Sequence, residues 1–128
     1  MNNSRLEGTL LHKYTPLGKY KIPELVSTDI IVGDGAEVPV GATITAHYTG
    51  ALCADGTIFQ SSHDFGDALT FSLDQVIEGW TKGVPGMKVG GTRRLTIPSA
   101  MAYGSARAAA NIPPNSDLVF DIEVVAVK

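Results

Sequence analysis

Strict period-two alternation runs through Thr43–Leu52. The even positions are Ile44, Ala46, Tyr48, Gly50 and Leu52, and the odd ones are Thr43, Thr45, His47, Thr49 and Ala51. Successive strand residues point to opposite faces, so the even set predicts an inward face and the odd set, His47 included, an outward one. Asp55-Gly56 follows, a dipeptide suited to the positive φ of a tight hairpin, with Thr57–Gln60 as the return strand. Leu69, Phe71 and Leu73 alternate again. The last strand is the clearest: Leu118, Phe120, Ile122, Val124 and Ala126 share one face, and Asp117, Asp121 and Glu123 mark the other. Arg93–Ile97 adds a strand that Pro98 ends. Short strands separated by turn signals predict an antiparallel sheet.

The stretch Asp74–Val84 breaks this period. Ile77, Trp80 and Val84 fall at i, i+3 and i+7, one face of a helix. Ser72 with Gln75 resembles a capping box, Asp74 is an alternative cap, and Glu78 with Lys82 forms a favourable i,i+4 pair. Gly79 and Gly83 weaken the helix and Pro85 ends it. Two turns are unstable alone, so packing must hold them, with Trp80 as the anchor. A Trp on the inner face of a short helix, opposite a curved sheet, would floor an apolar cavity.

Residues 1–26 show neither period. They hold Pro16, Pro23 and Gly18, and they carry Arg5, Lys13, Lys19 and Lys21 against Glu7 and Glu24. They read as an arm or linker before a domain at 27–128, or as a boundary inside a longer protein. The only apolar cluster near the start is Leu10-Leu11, too little for a secretory signal.

Composition narrows the function classes. A chain of 128 residues suits one domain. One Cys excludes an intrachain disulfide and a Cys-based zinc site. A net charge of −3 argues against duplex nucleic acid, which calls for a basic surface. No apolar run approaches the roughly 18 residues of a membrane span. Among single residues, His47 reads as an exposed strand residue or a structural hydrogen-bond partner. Cys53 reads as apolar filler, Arg93-Arg94 as a solvated face, and His63 with Asp64 and Asp67 as a polar loop rather than a metal cluster. Ser, His and Asp are present, but none sits in a nucleophile elbow. Tyr48, Phe71, Trp80 and Phe120 all fall on inward faces, with Phe59 and Tyr103 beside turns. Periodicity does not separate a filled core from a pocket, so both readings stand on pattern alone.

The words of the sequence carry more. His47-Tyr48-Thr49-Gly50, DGTIF at 55–59 with Ser61-Ser62, VIEGW at 76–80, GVPGMKVGGTRRLTIP at 83–98, Ala102-Tyr103-Gly104 and IPPNSDLVFDIEVV at 112–125 arrive in this order. Over about residues 29–127 the chain resembles the FKBP-type peptidyl-prolyl cis-trans isomerases, block by block. The resemblance implies an α+β fold, a bent antiparallel sheet wrapped around one short α-helix. It implies a pocket between helix and sheet walled by Tyr48, Phe59, Leu69, Val76, Ile77, Ile112 and Phe120, floored by Trp80. Phe71 and Gln60 are expected to join it, and Tyr103 to bring a hydroxyl to the rim. The Ile77 N–H is expected to donate to a substrate carbonyl. The implied activity is rotation about X–Pro bonds of client proteins, with no cofactor or metal. Macrolides such as rapamycin or tacrolimus are implied ligands, and the chain is expected to act as a monomer.

Three positions depart from the family's pattern. Gln60 stands where an Asp is usual, so charge is lost there. Leu69 stands where an aromatic is common. The loop 105–111, with Ala108 among its pocket-bordering residues, replaces the usual Gly, Pro and His. These departures keep open a module that binds proline segments or macrolides with little turnover, or acts as a chaperone. A cytoplasmic location fits the chain as it stands; an exported or membrane-tethered one would follow if residues 1–26 belong to a longer protein.

Overall fold

A computed structural model describes residues 6–105 and 111–128. Strands β1 (Val26–Ile31), β2 (Thr43–Leu52), β3 (Ile58–Ser61), β4 (Leu69–Ser72), β5 (Thr92–Ile97) and β6 (Leu118–Val127) form one antiparallel sheet. Its order is β1-β5-β6-β2-β3, and β4 pairs with the first half of β2. Among the described residues one α-helix, α1, spans Glu78–Gly83. This is the α+β arrangement the sequence implied.

The even face of β2 is buried from Ile44 to Gly50, as the alternation requires. The pattern breaks at Ala51, an odd residue that is also buried, where the register of β2 against β3 shifts. A second apolar cluster explains it: Ala51, Cys53, Ile58 and Val119 on the outer side of the sheet are covered by Leu11 and Ile22. The segment before β1 therefore lies on the domain. Its backbone extends the β3 edge, with the Gly8 N–H donating to the Ile58 carbonyl and the Ile58 N–H to the Thr9 carbonyl, both at 2.8 Å. An uncovered strand edge invites pairing with other chains, and this arm closes one.

The arginine pair is not a free solvated face. Arg93 ion-pairs with Asp29 of β1 at 2.7 Å. Arg94 ion-pairs with Asp121 of β6 at 2.6 Å and donates to the backbone carbonyls of His12 and Lys13. That hydrogen bond to Asp121 is the main reason the Arg94 guanidinium holds its proton more tightly than usual. Arg94 thus ties the arm to the sheet. Cys53 is filler, as expected, and burial pushes its thiol up to about 11. A thiol with that pKa is almost wholly protonated at neutral pH and a poor nucleophile.

The helix starts later than its sequence pattern predicts. Ser72 Oγ meets the Asp74 N–H at 3.4 Å, but Asp74–Val76 turn without becoming helical, and Ile77 is the N-cap. The Thr81 hydroxyl donates to the Leu73 carbonyl at 2.6 Å and fastens this turn to α1. Gly79 and Gly83 explain why the helix is both short and close to the sheet. A Cβ on Gly79 would stand 2.5 Å from Ile97 Cδ1, and one on Gly83 2.7 Å from Leu95 Cδ2. Each glycine costs about 1 kcal/mol of helix propensity relative to Ala. The return is an approach to β5 that no side chain would permit, and this approach sets Trp80 over the bent sheet.

Candidate active site

The inner face of the sheet and α1 enclose a cavity of about 200 Å³. Each wall has a separate origin: Tyr48 from β2, Phe59 and Gln60 from β3, Phe71 from β4, and Phe120 from β6. Val76, Ile77 and Trp80 come from the turn and helix, and Tyr103 from the segment after β5. Nine of the twelve residues expected at the site are thus brought together. Leu69 is not among the lining residues; it lies on β4 opposite Ala46 and is exposed. Ile112 is buried and, with Phe59, lines a neighbouring depression instead. Ala108 lies outside the described residues.

Trp80 is the hub. It is 4% exposed and meets Tyr48, Phe71 and Phe120 edge-on, at centroid distances of 5.5, 5.1 and 5.4 Å. Phe59 meets Phe120 edge-on at 5.7 Å. Edge-to-face contacts of this kind add about 0.5–1.5 kcal/mol each beyond burial and fix ring orientation. They give the cavity rigid walls. Gly50 makes this possible on β2, since a Cβ there would fall 2.6 Å from Phe59 Cζ and 2.7 Å from Phe120 Cε2.

The polar groups at the site are few. The Ile77 N–H donates to no group among the described residues, so the helix start presents an open donor. The hydroxyls of Tyr48 and Tyr103 likewise have no hydrogen-bond partner there, and the Trp80 N–H is buried without one. Burial, with a smaller contribution from Tyr103, pushes the Tyr48 phenol above its ordinary pKa, so it stays a neutral donor at physiological pH. Tyr103 is half exposed at the rim, and Gln60 is exposed beside it.

A support layer lies behind these walls, and the sequence pattern did not single it out. The buried Ser62 hydroxyl accepts from the Tyr48 N–H at 2.8 Å and bonds His47 Nδ1 at 2.9 Å. His47 also stacks on His63, with ring centroids 4.2 Å apart. His47 is therefore half-buried and structural, the second of its two readings. The available signal was the Ser61-Ser62 pair directly after an apolar strand, where a buried hydroxyl needs partners. Asn111 is a second such residue: its amide donates to the Phe59 carbonyl at 3.0 Å.

An apolar, rigid basin with isolated hydrogen-bond donors suits recognition of a peptide segment. Among its described lining residues there is no Ser, Cys or His. Among the described residues, no group of three His, Cys, Asp or Glu side chains is placed to share a metal ion.

Residues 35–125 match the family model described as FKBP-type peptidyl-prolyl cis-trans isomerase. The chain is 43% identical over 112 residues to the peptidyl-prolyl cis-trans isomerase FPR2 of Saccharomyces cerevisiae, which covers 79% of this chain and 83% of that one. It is 48% identical over 105 residues to an FK506-binding protein of Neisseria meningitidis serogroup A, over 80% of this chain and 95% of that one. The crystal structure of FkpA from Escherichia coli is similar, with a TM-score of 0.74 and 43% identity. That match covers 81% of this chain and 48% of the other, so the chain spans about half of FkpA. With the family model matching most of its length and relatives at 43–48% identity, the chain belongs to the FKBP-type peptidyl-prolyl cis-trans isomerase family.

Proposed function

We propose that the peptidyl-prolyl cis–trans isomerase activity of this chain resides in the cavity over Trp80, where it turns X–Pro bonds of client proteins and so assists their folding. The observation that carries this is the set of interlocked aromatic edges around an open Ile77 N–H.

Resonance holds the peptide bond planar, behind a barrier of about 18–20 kcal/mol. X–Pro bonds populate both isomers and exchange slowly. Rotation breaks the resonance and lowers the polarity of the amide. An apolar basin therefore favours the twisted form over either planar one. That is differential binding of the transition state, and each 1.4 kcal/mol or so of it gives about tenfold in rate. The Ile77 N–H would hold one substrate carbonyl and the Tyr103 hydroxyl another, so the rings act on an oriented bond. Val76, Phe71 and Phe59 would take the proline ring and its apolar neighbour.

The same basin is a candidate for macrolides such as rapamycin or tacrolimus, with the Trp80 indole as the reporter of occupancy. Gln60 is the observation behind a second reading, a proline-binding or chaperone module of low turnover. An amide at that rim can hydrogen-bond but adds no charge to a substrate field. A Leu-Pro peptide assayed for cis-to-trans conversion separates the two. Catalysis well above the spontaneous rate is expected. Peptide binding without any acceleration, in folded protein, would leave only the binding module.

A further inference from the structure

Along one edge β2 has two partners, and they do not meet. β4 pairs with residues 43–46 and β3 with residues 49–51. His47 and Tyr48 fall in the gap, with a strand partner on the β6 side only. The Tyr48 N–H and C=O therefore face a place where no strand lies, and one side chain serves both. The Ser62 hydroxyl accepts from the Tyr48 N–H at 2.8 Å and can donate to the Tyr48 carbonyl at 3.3 Å.

Ser62 is fully buried and opens a single 3-10 turn, Ser62–Asp64, whose N-cap is Ser61. Its third contact is His47 Nδ1, at 2.9 Å. A hydroxyl has one proton and two acceptor positions, so a proton on His47 Nδ1 lets all three contacts form at once. His47 in turn stacks on His63, the residue after Ser62, with 13° between the ring planes. The turn thus holds the β2 backbone at residue 48 and is itself held by the ring of residue 47.

What hangs from that backbone is a wall of the cavity. The Tyr48 ring meets Trp80, Phe71 and Phe120 at centroid distances of 5.5, 5.8 and 6.3 Å. A buried backbone group is costly to leave unpaired. Without the hydroxyl, the Tyr48 N–H and C=O must shift to find other partners, and the ring moves with them. A displacement that still lets a peptide bind can spoil the fit to a twisted bond.

We propose that Ser62, braced by His47, is a positioning residue of the reaction: it replaces the missing cross-strand partner of Tyr48 and so sets that ring against Trp80. The proposal rests on the reading of the cavity as the X–Pro site. Its test is Ser62→Ala, alone and in a Tyr48→Leu background. The measurements are kcat and KM for a Leu-Pro peptide, the unfolding midpoint, and the near-ultraviolet circular dichroism of Trp80, the one Trp of the chain.

Ser62→Ala is expected to lower kcat roughly three- to tenfold with KM within about twofold, and to change the Trp80 band. In the Tyr48→Leu background the same substitution should still lower the midpoint, because the backbone groups of residue 48 lose their partner in either case. There it should cost less than about twofold in kcat/KM, since the ring it acts through is gone. A general loosening of the fold would lower the rate by the same factor in both backgrounds. That result overturns the proposal, as does a folded Ser62→Ala with an unchanged rate. If Tyr48→Leu does not fold, the Trp80 band of Ser62→Ala decides, and an unchanged band overturns the proposal. If the unsubstituted chain binds the peptide without catalysis, the isomerase reading fails. A changed band in Ser62→Ala then still supports the placing of the ring, and an unchanged one overturns it.

Discussion

Truncation of Trp80 to Ala is expected to lower the unfolding free energy by about 3–5 kcal/mol. Small domains hold about 5–15 kcal/mol in all, so the variant should sit near the edge of folding. The reason is local. Trp80 is 4% exposed, fills the space between α1 and the sheet, and fixes three other rings by edge contacts. A helix of six residues has little cooperativity of its own, so its anchor carries most of its stability. Urea unfolding followed by circular dichroism reads the effect. A loss below about 1 kcal/mol would mean that the aromatic cluster does not hold helix to sheet.

Gly50→Ala tests the walls rather than the floor. The added Cβ would meet Phe59 Cζ at 2.6 Å and Phe120 Cε2 at 2.7 Å. Real Cβ atoms do not approach this closely, so both rings must move. Both are buried and in contact with each other, so neither can move alone. Overpacking of this kind costs about 1–3 kcal/mol of stability. The larger expected effect is on the reaction: kcat/KM for a Leu-Pro peptide should fall at least about tenfold, equivalent to about 1.4 kcal/mol at the transition state. Unchanged kinetics would show that the positions of Phe59 and Phe120 do not matter to rotation.

What was legible in the sequence follows from which faces are dry. β2 and most of β6 were read correctly because each presents one buried face and one wetter one, but Ala126, expected inward, is exposed: the register of β2 against β6 shifts there and pairs it with the outward Thr45. β1 was not read as a strand, because all six of its residues are exposed on the sheet edge and no alternation is imposed on them. The arm was invisible as a packed element for a related reason. Leu11 and Ile22 have no common period, and they bury residues such as Ala51 and Val119 on the sheet face that alternation assigns to solvent. The start of α1 was misplaced because a capping pattern at Ser72 competes with Leu73, whose carbonyl is taken by Thr81 and whose N–H donates to Ala42.

The site was legible in two layers. Period-two alternation placed Tyr48 and Phe120 inward, and the ordered sequence blocks supplied Phe59, Val76, Ile77 and Tyr103. Neither could see that Leu69 and Ile112 stand off the cavity, which depends on where β4 ends and how the chain enters β6. Neither could see Ser62 or Asn111, which act behind the wall through hydrogen bonds spanning 14 and 52 residues of chain.

The central claim is that rotation of the X–Pro bond takes place in the space bounded by Trp80 and the rings around it. Filling that space while leaving its aromatic rings unchanged is the direct test. Val76 lines the cavity from the turn before α1 and is only partly buried, so a larger side chain there need not enter the core. The measurement is kcat/KM of Val76→Trp for a Leu-Pro peptide, beside the unsubstituted chain, with the unfolding midpoint of both in hand. A loss of tenfold or more with the midpoint retained is the predicted result. Full activity in the folded variant would contradict it.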